Sequence, residues 1–439
     1  MRLMFIIPRR SGGGAEKVIA FLASGLAERH EVFLVSMLEP IGYSYPVSEH
    51  VTVINLKSKP TGWRIINRIR HLLHLDRFTP PKKIKKALHH SYPASSLKKL
   101  KQSLQIDCSI SFLSPANYIN TAAESSCPAI ISIRSCMVGK YAPAEANDPE
   151  GRELVLHSCR HADKIVSVSK EAVPGLVNFF EADPDKISVI YNPCDCQQIR
   201  KLGTQDPEDK TILRRMEAAE FVFFSNGRIT QKKGQWHLLH AFSHVLEKHP
   251  KALLIILGKA NNDETEKLLK DIINKKGMET HVILAGFHAN PFAFLSRGDA
   301  FVMSSFNEGF PNALIEAMAL GLPVISTDCS SGPREILAPS TICTEKTTIM
   351  DPAEYGILVP ECSGNQEINR SLEKNEIIMA DAMIRLIEDP ELRNHYSEQS
   401  RKRAEQFDKE DFLRHWETLI QDAVTEKRNR PDIVREKAE

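Results

Sequence analysis

No apolar run in the chain approaches the roughly 20 residues that span a bilayer, so any contact with a membrane is expected to be peripheral. The opening, MRLMFIIPRR, is too short in apolar residues for a secretory leader, and Gly12 to Gly14 break the run at once. Secretion is not expected. The nine cysteines are odd in number and scattered, and only Cys194 and Cys196 lie close together. With no matching pair and no His cluster at metal-ligand spacing, a reduced cytosolic chain is the expectation. Charge of one sign is missing too: 57 Lys and Arg against 56 Asp and Glu leave a net charge of +1, which names no partner. Internal repeats and low-complexity tracts are absent.

What is present is 439 residues, 42% apolar and 26% charged, the composition of a soluble globular protein. At about 100 to 200 residues per domain, two domains are expected. Short runs rich in Val, Ile and Phe alternate with longer amphipathic stretches, the pattern of βα units, so the fold class is α/β with parallel sheets. The first series of predicted strands is Leu3 to Ile7, Val32 to Ser36, Val51 to Leu56, Cys108 to Phe112, Ala129 to Ile133, Ile165 to Val168 and Ile187 to Tyr191. The second is Phe221 to Ser225, Leu253 to Leu257, Val282 to Ala285, Ala300 to Met303, Val324 to Thr327 and Ile357 to Val359. Between them, Asn192 to Ala219 mixes Pro, Gly and charge, and the domain boundary is placed there. Asn375 to Val424 reads as helix only, and Thr425 to Glu439 as a frayed polar end.

In the second half, Asn226, Gly227 and Arg228 close a strand, and Lys232, Lys233 and Gly234 precede a helix expected to begin near Trp236. Cations are thus delivered to the carboxyl end of a strand, where open parallel sheets bind ligands. Arg228 with Lys233 suits a diphosphate; the plainer alternative is a solvated basic loop. In SSFNEGFPNALIEAMALGLPVISTD, Pro311 suits the first helical position and Gly309 permits close backbone approach before it. Free N–H groups and the positive dipole end make such a helix mouth an anion site. Glu316 lies about one and a half turns inside and leans back toward the mouth, where its carboxylate can accept from a diol. Glu308, in the loop before the helix, can address a second polyol. Read without further context, Glu308 is a charge favoured by the dipole and Glu316 an exposed helical residue.

A Glu, seven residues, a second Glu and then A-M-A-x-G-x-P-V-I-S-T-D resembles the signature of the large retaining family of GT-B glycosyltransferases, family 4, group 1. Gly227, Arg228, Lys233 and Gly234 are similar to that family's other donor motif, and the resemblance covers Phe221 to Leu358 most strongly. It implies that Arg228 and Lys233 bind the donor diphosphate, Glu316 the ribose hydroxyls and Glu308 the sugar near its reacting carbon. Gly309, Phe310, Pro311 and Asn312 would form the phosphate-binding mouth. One departure stands at Gly258, Lys259, Ala260, where many relatives carry Gly-x-Gly near the nucleotide base. CSSGPREIL, Cys329 to Leu337, is similar to members acting on lipid-linked acceptors.

Near the amino terminus, SGGGAE (Ser11 to Glu16) follows a strand and precedes a helix expected over Lys17 to Arg29, but lacks full Gly-x-Gly-x-x-Gly spacing. It resembles the Gly-Gly-x-Glu turn of the same family, which implies Gly13 and Gly14 near the donor phosphates and Glu16 near the acceptor; a merely tight turn is the alternative. Arg134, Lys140 and Tyr141 follow a predicted strand and are candidates for the acceptor side. Residues 57 to 101 carry thirteen Lys or Arg against one acid, Asp76, interleaved with Trp63, Ile65, Ile66, Ile69, Leu72, Leu73 and Leu75. This basic insertion, about 57–102, fits an anionic membrane surface, with an exposed solvated face as the alternative. No nucleic-acid partner is expected. Asp183 and Asp185 form an Asp-x-Asp that reads as helix capping. His157 and His161, four apart, lack a third ligand, so no metal and no cofactor is expected.

The expectation is therefore a GT-B fold of two Rossmann-like domains facing a cleft: 1–200 for the acceptor, 201–390 for the nucleotide sugar, and helices 391–439 packing back on the first domain. The activity implied is a metal-independent retaining transfer of a hexose or N-acetylhexosamine, with UDP as default nucleotide, to a lipid-linked or glycan acceptor. The expected location is the cytoplasmic face of a membrane. A non-catalytic binding protein on the same scaffold, or another GT-B enzyme such as an epimerase or phosphorylase, stays open.

Overall fold

The computed structural model describes residues 1–10, 12–38, 45–56, 94–135, 148–260 and 263–430. It divides into two compact units: Met1–Val168 with Ala172–Ile190 and Glu410–Glu439, and Ser169–Glu171 with Tyr191–Lys409.

The first unit holds a seven-stranded parallel sheet in the order β3-β2-β1-β4-β5-β6-β7. Its strands are β1 (Arg2–Arg9), β2 (Glu31–Leu38), β3 (Val51–Asn55), β4 (Cys108–Phe112), β5 (Ala129–Ile133), β6 (Lys164–Ser167) and β7 (Ile187–Val189). Leu3 to Ile7 are fully buried, as the continuous apolar reading of a strand covered on both faces requires. Helix α1 (Gly14–Leu26) puts Val18, Ile19, Leu22, Ala23 and Leu26 in the core, spaced for one helical face. It starts three residues earlier than the expected Lys17, so Gly14 is helical and Gly13 is the cap.

The second unit repeats the plan, in the order β10-β9-β8-β11-β12-β14-β13. Its strands are β8 (Phe221–Asn226), β9 (Ala252–Leu257), β10 (Val282–Gly286), β11 (Ala300–Met303), β12 (Val324–Thr327), β13 (Asp351–Pro352) and β14 (Ile357–Val359). Only the edge pair β13–β14 is antiparallel, and β13, two residues long, left no periodic signal in the sequence. In both sheets the order reverses beside the first strand, between β1 and β4 and between β8 and β11, which opens a crevice at the strands' carboxyl ends. Helices α2 (Gln235–Lys248), α3 (Asn312–Ala319), α4 (Pro333–Leu337), α5 (Lys374–Glu388) and α6 (Pro390–Glu405) belong to this unit.

Three expectations need correction. The boundary expected in 192–219, with the domains divided at 200, falls at Tyr191, and the stretch belongs to the second unit as the helices Cys196–Gly203 and Lys210–Ala218, each capped by an Asp side chain, Asp195 and Asp209. The carboxyl-terminal return starts at Glu410 rather than 391, because α6 sends Tyr396 into the second core. Helix α7 (Lys409–Asn429) then buries Phe412, Leu413, Trp416, Leu419 and Ile420 in the first. Nor are 425–429 frayed: Glu426 pairs with Lys164 at 2.7 Å and Lys427 with Asp163 at 3.0 Å.

Among the described residues no helix is long and apolar enough to cross a membrane. Most of the basic insertion, 57–93, lies outside them. Of its described cations, Lys98 and Lys99 are exposed on helix 94–103, whereas Lys101 is buried. The Lys101 Nζ donates to the Asn120 and Ala123 carbonyls at 3.0 and 3.2 Å, closing the end of helix Ser114–Ala122, and burial draws its pKa down to about 8. It is a structural cation and drops out of the surface count.

Candidate functional site

The second unit's switch point gathers the residues singled out in its sequence. After β8 the backbone turns through Gly227 (φ +154°), passes Arg228 and forms a short turn, Gln231–Lys233, closed by Gly234 in the left-handed region (φ +57°). A Cβ at Gly234 would overlap the Ser304 carbonyl, so only glycine lets this loop lie against the end of β11. The contact is held from both sides: Ser304 Oγ donates to the Lys233 carbonyl at 2.9 Å, and Phe306 N to the Lys232 carbonyl at 2.9 Å. The two loops in turn bring Lys233 Nζ within 2.6 Å of Glu308 Oε1, with the side chains 24% and 12% exposed. Arg228 is exposed beside this pair and makes no ion pair among the described residues.

Beyond Glu308, Gly309 and Phe310 are buried and lead into α3. Pro311 is the helix cap (φ −72°, ψ 106°) and Asn312 the first helical residue, one position later than expected. Among the described residues no side chain caps this helix; Leu314 N turns back to the Pro311 carbonyl at 3.2 Å, and the N–H groups of Asn312 and Ala313 are those a helix start leaves without an intrahelical acceptor. Glu316 is half-buried on α3, one turn in from the mouth.

One partner of this mouth escaped the sequence reading. Asn192, buried just after the first sheet's last strand, donates through Nδ2 to the Phe310 carbonyl at 2.8 Å and to Asn312 Oδ1 at 2.6 Å. Beside it the Tyr191 ring stacks on Phe310, centroids 4.5 Å apart and planes 10° from parallel. Nearly 120 residues separate these partners in sequence, and no local pattern announces such a contact.

In the first unit, Gly13 is buried against Glu16, whose carboxylate fills the space a Cβ at Gly13 would need. Arg134 follows β5; its guanidinium lies 5.1 Å from the centre of the Phe112 ring and donates to Ser132 Oγ at 3.4 Å. Burial works against its charge and lowers its pKa. Lys140 and Tyr141 lie outside the described residues.

The possible metal positions resolve differently. Asp183 caps the turn Pro184–Lys186, its Oδ1 accepting from Asp185 N at 3.1 Å. His161 Nδ1 meets the His157 carbonyl at 2.8 Å while the two rings stack, 4.1 Å between centres. Among the described residues, a set with ligand atoms close enough for a cation is His237, Cys362 and Glu373. There, His237 Nδ1 donates to Glu376 Oε1 at 2.6 Å, its Nε2 accepts from Gly364 N at 3.2 Å, and Arg370 adds its guanidinium to Glu376 at 2.6 Å. With both imidazole nitrogens engaged and a guanidinium present, this is an ion network suited to holding the 362–376 segment, not a cation cage.

Comparison with known proteins gives two adjoining family matches: residues 12–198 to Glycosyltransferase Family 4 and residues 209–403 to Glycosyl transferases group 1. An uncharacterized glycosyltransferase of Methanocaldococcus jannaschii is 38% identical over 269 residues, covering 60% of this chain and 65% of that one. The N-acetylgalactosamine-N,N'-diacetylbacillosaminyl-diphospho-undecaprenol 4-alpha-N-acetylgalactosaminyltransferase of Campylobacter jejuni is 28% identical over 416 residues, 93% of this chain and 96% of its own. Anabaena HepE in complex with UDP has the same fold, with a TM-score of 0.69 at 17% identity over 96% of this chain and all of that one.

Proposed function

Since the chain belongs to the group 1, family 4 glycosyltransferases of GT-B fold, we propose that it is a hexosyltransferase taking its sugar from a UDP-sugar held at the second unit's switch point. The observation that carries this reading is the 2.6 Å pair of Lys233 and Glu308 beside the uncapped mouth of α3. A diphosphate fits there: the mouth offers N–H donors, Lys233 and the exposed Arg228 offer cations, and Glu316 stands one turn in to accept from ribose hydroxyls.

As the bond from the anomeric carbon to the diphosphate breaks, negative charge builds on the leaving oxygens. Arg228, Lys233 and the helix mouth stabilise that charge more than the ground state, which lowers the barrier without a metal. Glu308, next to Lys233, addresses the sugar hydroxyls near the reacting carbon. The transfer retains anomeric configuration, as the family signature implies. The acceptor is a lipid-linked sugar, a reading supported by the Campylobacter relative's acceptor, a diphospho-undecaprenol glycoside. Glu16, in the first turn of α1, and Arg134, just after β5, are the first unit's acceptor residues. The basic run from 57 onward in the sequence supports a peripheral position on an anionic membrane.

The test is calorimetric binding of UDP, GDP and ADP in the presence of EDTA. One nucleotide, expected to be UDP, binds the wild type, and Glu316→Ala weakens it by about tenfold or more, the loss of one charge-assisted pair of hydrogen bonds. No binding of any of the three refutes the donor site.

A further inference from the structure

Residues outside both donor motifs hold the loop that carries Glu308, and Ser331 is one of them. It is one of four non-glycine residues with positive φ among the described residues (+71°), a conformation that costs a side chain energy and persists only where its surroundings enforce it. The surroundings here are three hydrogen bonds. Ser331 N donates to Glu171 Oε2 at 2.9 Å, Ser331 Oγ donates to the Gly309 carbonyl at 2.8 Å, and Ser169 Oγ lies 2.5 Å from Ser331 Oγ, which leaves Ser169 as the donor of that pair. Its neighbour Ser330 accepts from Glu308 N at 3.1 Å. Gly332 (φ +97°) closes the turn, and a Cβ there would stand 2.7 Å from Pro311 Cδ and 2.9 Å from the Gly309 carbonyl.

The other end of the clamp is anchored too. Buried Glu335, on α4, accepts from Lys170 N at 2.8 Å, Glu171 N at 3.0 Å and the Tyr191 hydroxyl at 2.9 Å, and so fixes the backbone that presents Glu171. Lys346 Nζ holds the Glu171 carboxylate from the far side at 2.8 Å and reaches the Cys329 carbonyl at 3.2 Å. The grip falls on Glu308 and Gly309. Of the expected phosphate mouth, Gly309 shares this grip through its carbonyl, whereas Phe310 and Asn312 have their own tie in Asn192.

Building on the proposed donor site, we infer that Ser331 is a positioning residue that sets Glu308 against the sugar, while nucleotide binding depends on Asn192, Arg228 and Lys233. Sugar transfer and nucleotide binding are therefore separable at this position. The experiment compares wild type, Ser331→Ala and Ser331→Gly as full chains, measuring UDP affinity by calorimetry and UDP release from UDP-glucose and UDP-N-acetylglucosamine by steady-state kinetics. Glycine takes φ +71° freely, so Ser331→Gly loses the hydroxyl without the backbone cost and keeps the test readable if the alanine variant unfolds.

Both variants are expected to bind UDP within about threefold of wild type while kcat falls by about tenfold or more, the pattern of an interaction made only in the transition state. A kcat within about threefold of wild type overturns the inference, and so does a parallel loss of UDP affinity and kcat, which marks a merely structural residue. A wild type that binds no nucleotide removes the donor-site reading and this one with it; a wild type that turns over beside unchanged variants removes the clamp alone.

Discussion

Lys233 and Glu308 neutralise each other across 2.6 Å in a pocket that leaves Glu308 only 12% exposed. In such a place each charge depends on its partner, because a half-buried carboxylate without one loses both hydration and Coulomb attraction. In the donor site proposed above, replacing Lys233 by Ala would remove a donor to the leaving diphosphate, and it strands Glu308. Steady-state kinetics with the accepted UDP-sugar should show kcat lowered by about 10² or more, the usual effect of deleting one stabilising donor at a developing oxyanion. A change below about fivefold would assign Lys233 to the wet surface instead. The Glu–x7–Glu spacing and the Arg and Lys at the end of β8 were legible in the sequence because they are local: strand, glycine turn and helix mouth follow each other along the chain. Asn192, Ser331 and Glu335 were not legible as parts of the same site. Their partners, at Phe310, Gly309 and Glu171, become neighbours only after the second sheet has formed.

At the scale of elements, α2 is tied to α5 by one buried network. Glu376 is fully buried and accepts from His237 and Arg370, both at 2.6 Å, while its other oxygen caps Glu373 N at 2.8 Å. Burial alone would raise its pKa, but the Arg370 and His237 hydrogen bonds outweigh it and hold the carboxyl at about 2. Glu376→Gln, which leaves Arg370 without its counter-charge, should cost about 3 to 5 kcal/mol in urea unfolding, the range for breaking a buried pair. Helix α2 also carries His240, fully buried, with neither ring nitrogen hydrogen-bonded among the described residues. Burial lowers its pKa to about 4.

The two groups act in successive pH windows. The unfolded His240 takes up a proton near its ordinary pKa of about 6.5 while the folded one stays neutral to about 4, so stability falls as pH drops through that interval, by up to about 1.4 kcal/mol per unit. Glu376 contributes fully above its unfolded value near 4.5 and loses that contribution as pH falls toward 2. Urea midpoints measured from pH 7 to 4 should therefore decline in the wild type and decline less in His240→Leu. Equal slopes would show that the imidazole is hydrated in the fold. Helix α2 was expected from near Trp236, but nothing in the sequence distinguishes His237, which donates to Glu376 of α5, from His240, whose ring nitrogens have no partner among the described residues.

At the scale of the molecule, the first unit is completed by the last helix of the chain. In α7, Trp416 is fully buried with its ring stacked 5.8 Å from Phe112 of β4, and Leu413 closes on Gly25 of α1, where a Cβ would stand 2.7 Å from the leucine methyls. Trp416→Ala should destabilise the first unit by about 3 to 5 kcal/mol, the cost of emptying a large aromatic site. Differential scanning calorimetry with UDP reads this directly: the nucleotide raises the second unit's transition by about 2.7 kcal/mol at a hundredfold excess over Kd, and the mutation moves the other one. A single transition shifted equally by both changes would contradict that assignment.

Local order decided much of this protein before folding. The alternation of apolar strands and amphipathic helices specifies two parallel sheets, because each strand's burial on both faces is written in consecutive residues. The motifs at Gly227 to Gly234 and Glu308 to Glu316 carry the proposal of anion chemistry, because turn, cation and helix start are neighbours in the chain. Tertiary structure alone decided what lies far apart in sequence: that 196–218 belongs to the second unit, that Lys101 is a buried cap, that α7 finishes the first core, and that a serine at 331 grips the loop carrying Glu308. Those contacts rest on burial and on hydrogen bonds between distant segments, and a one-dimensional pattern carries no trace of either.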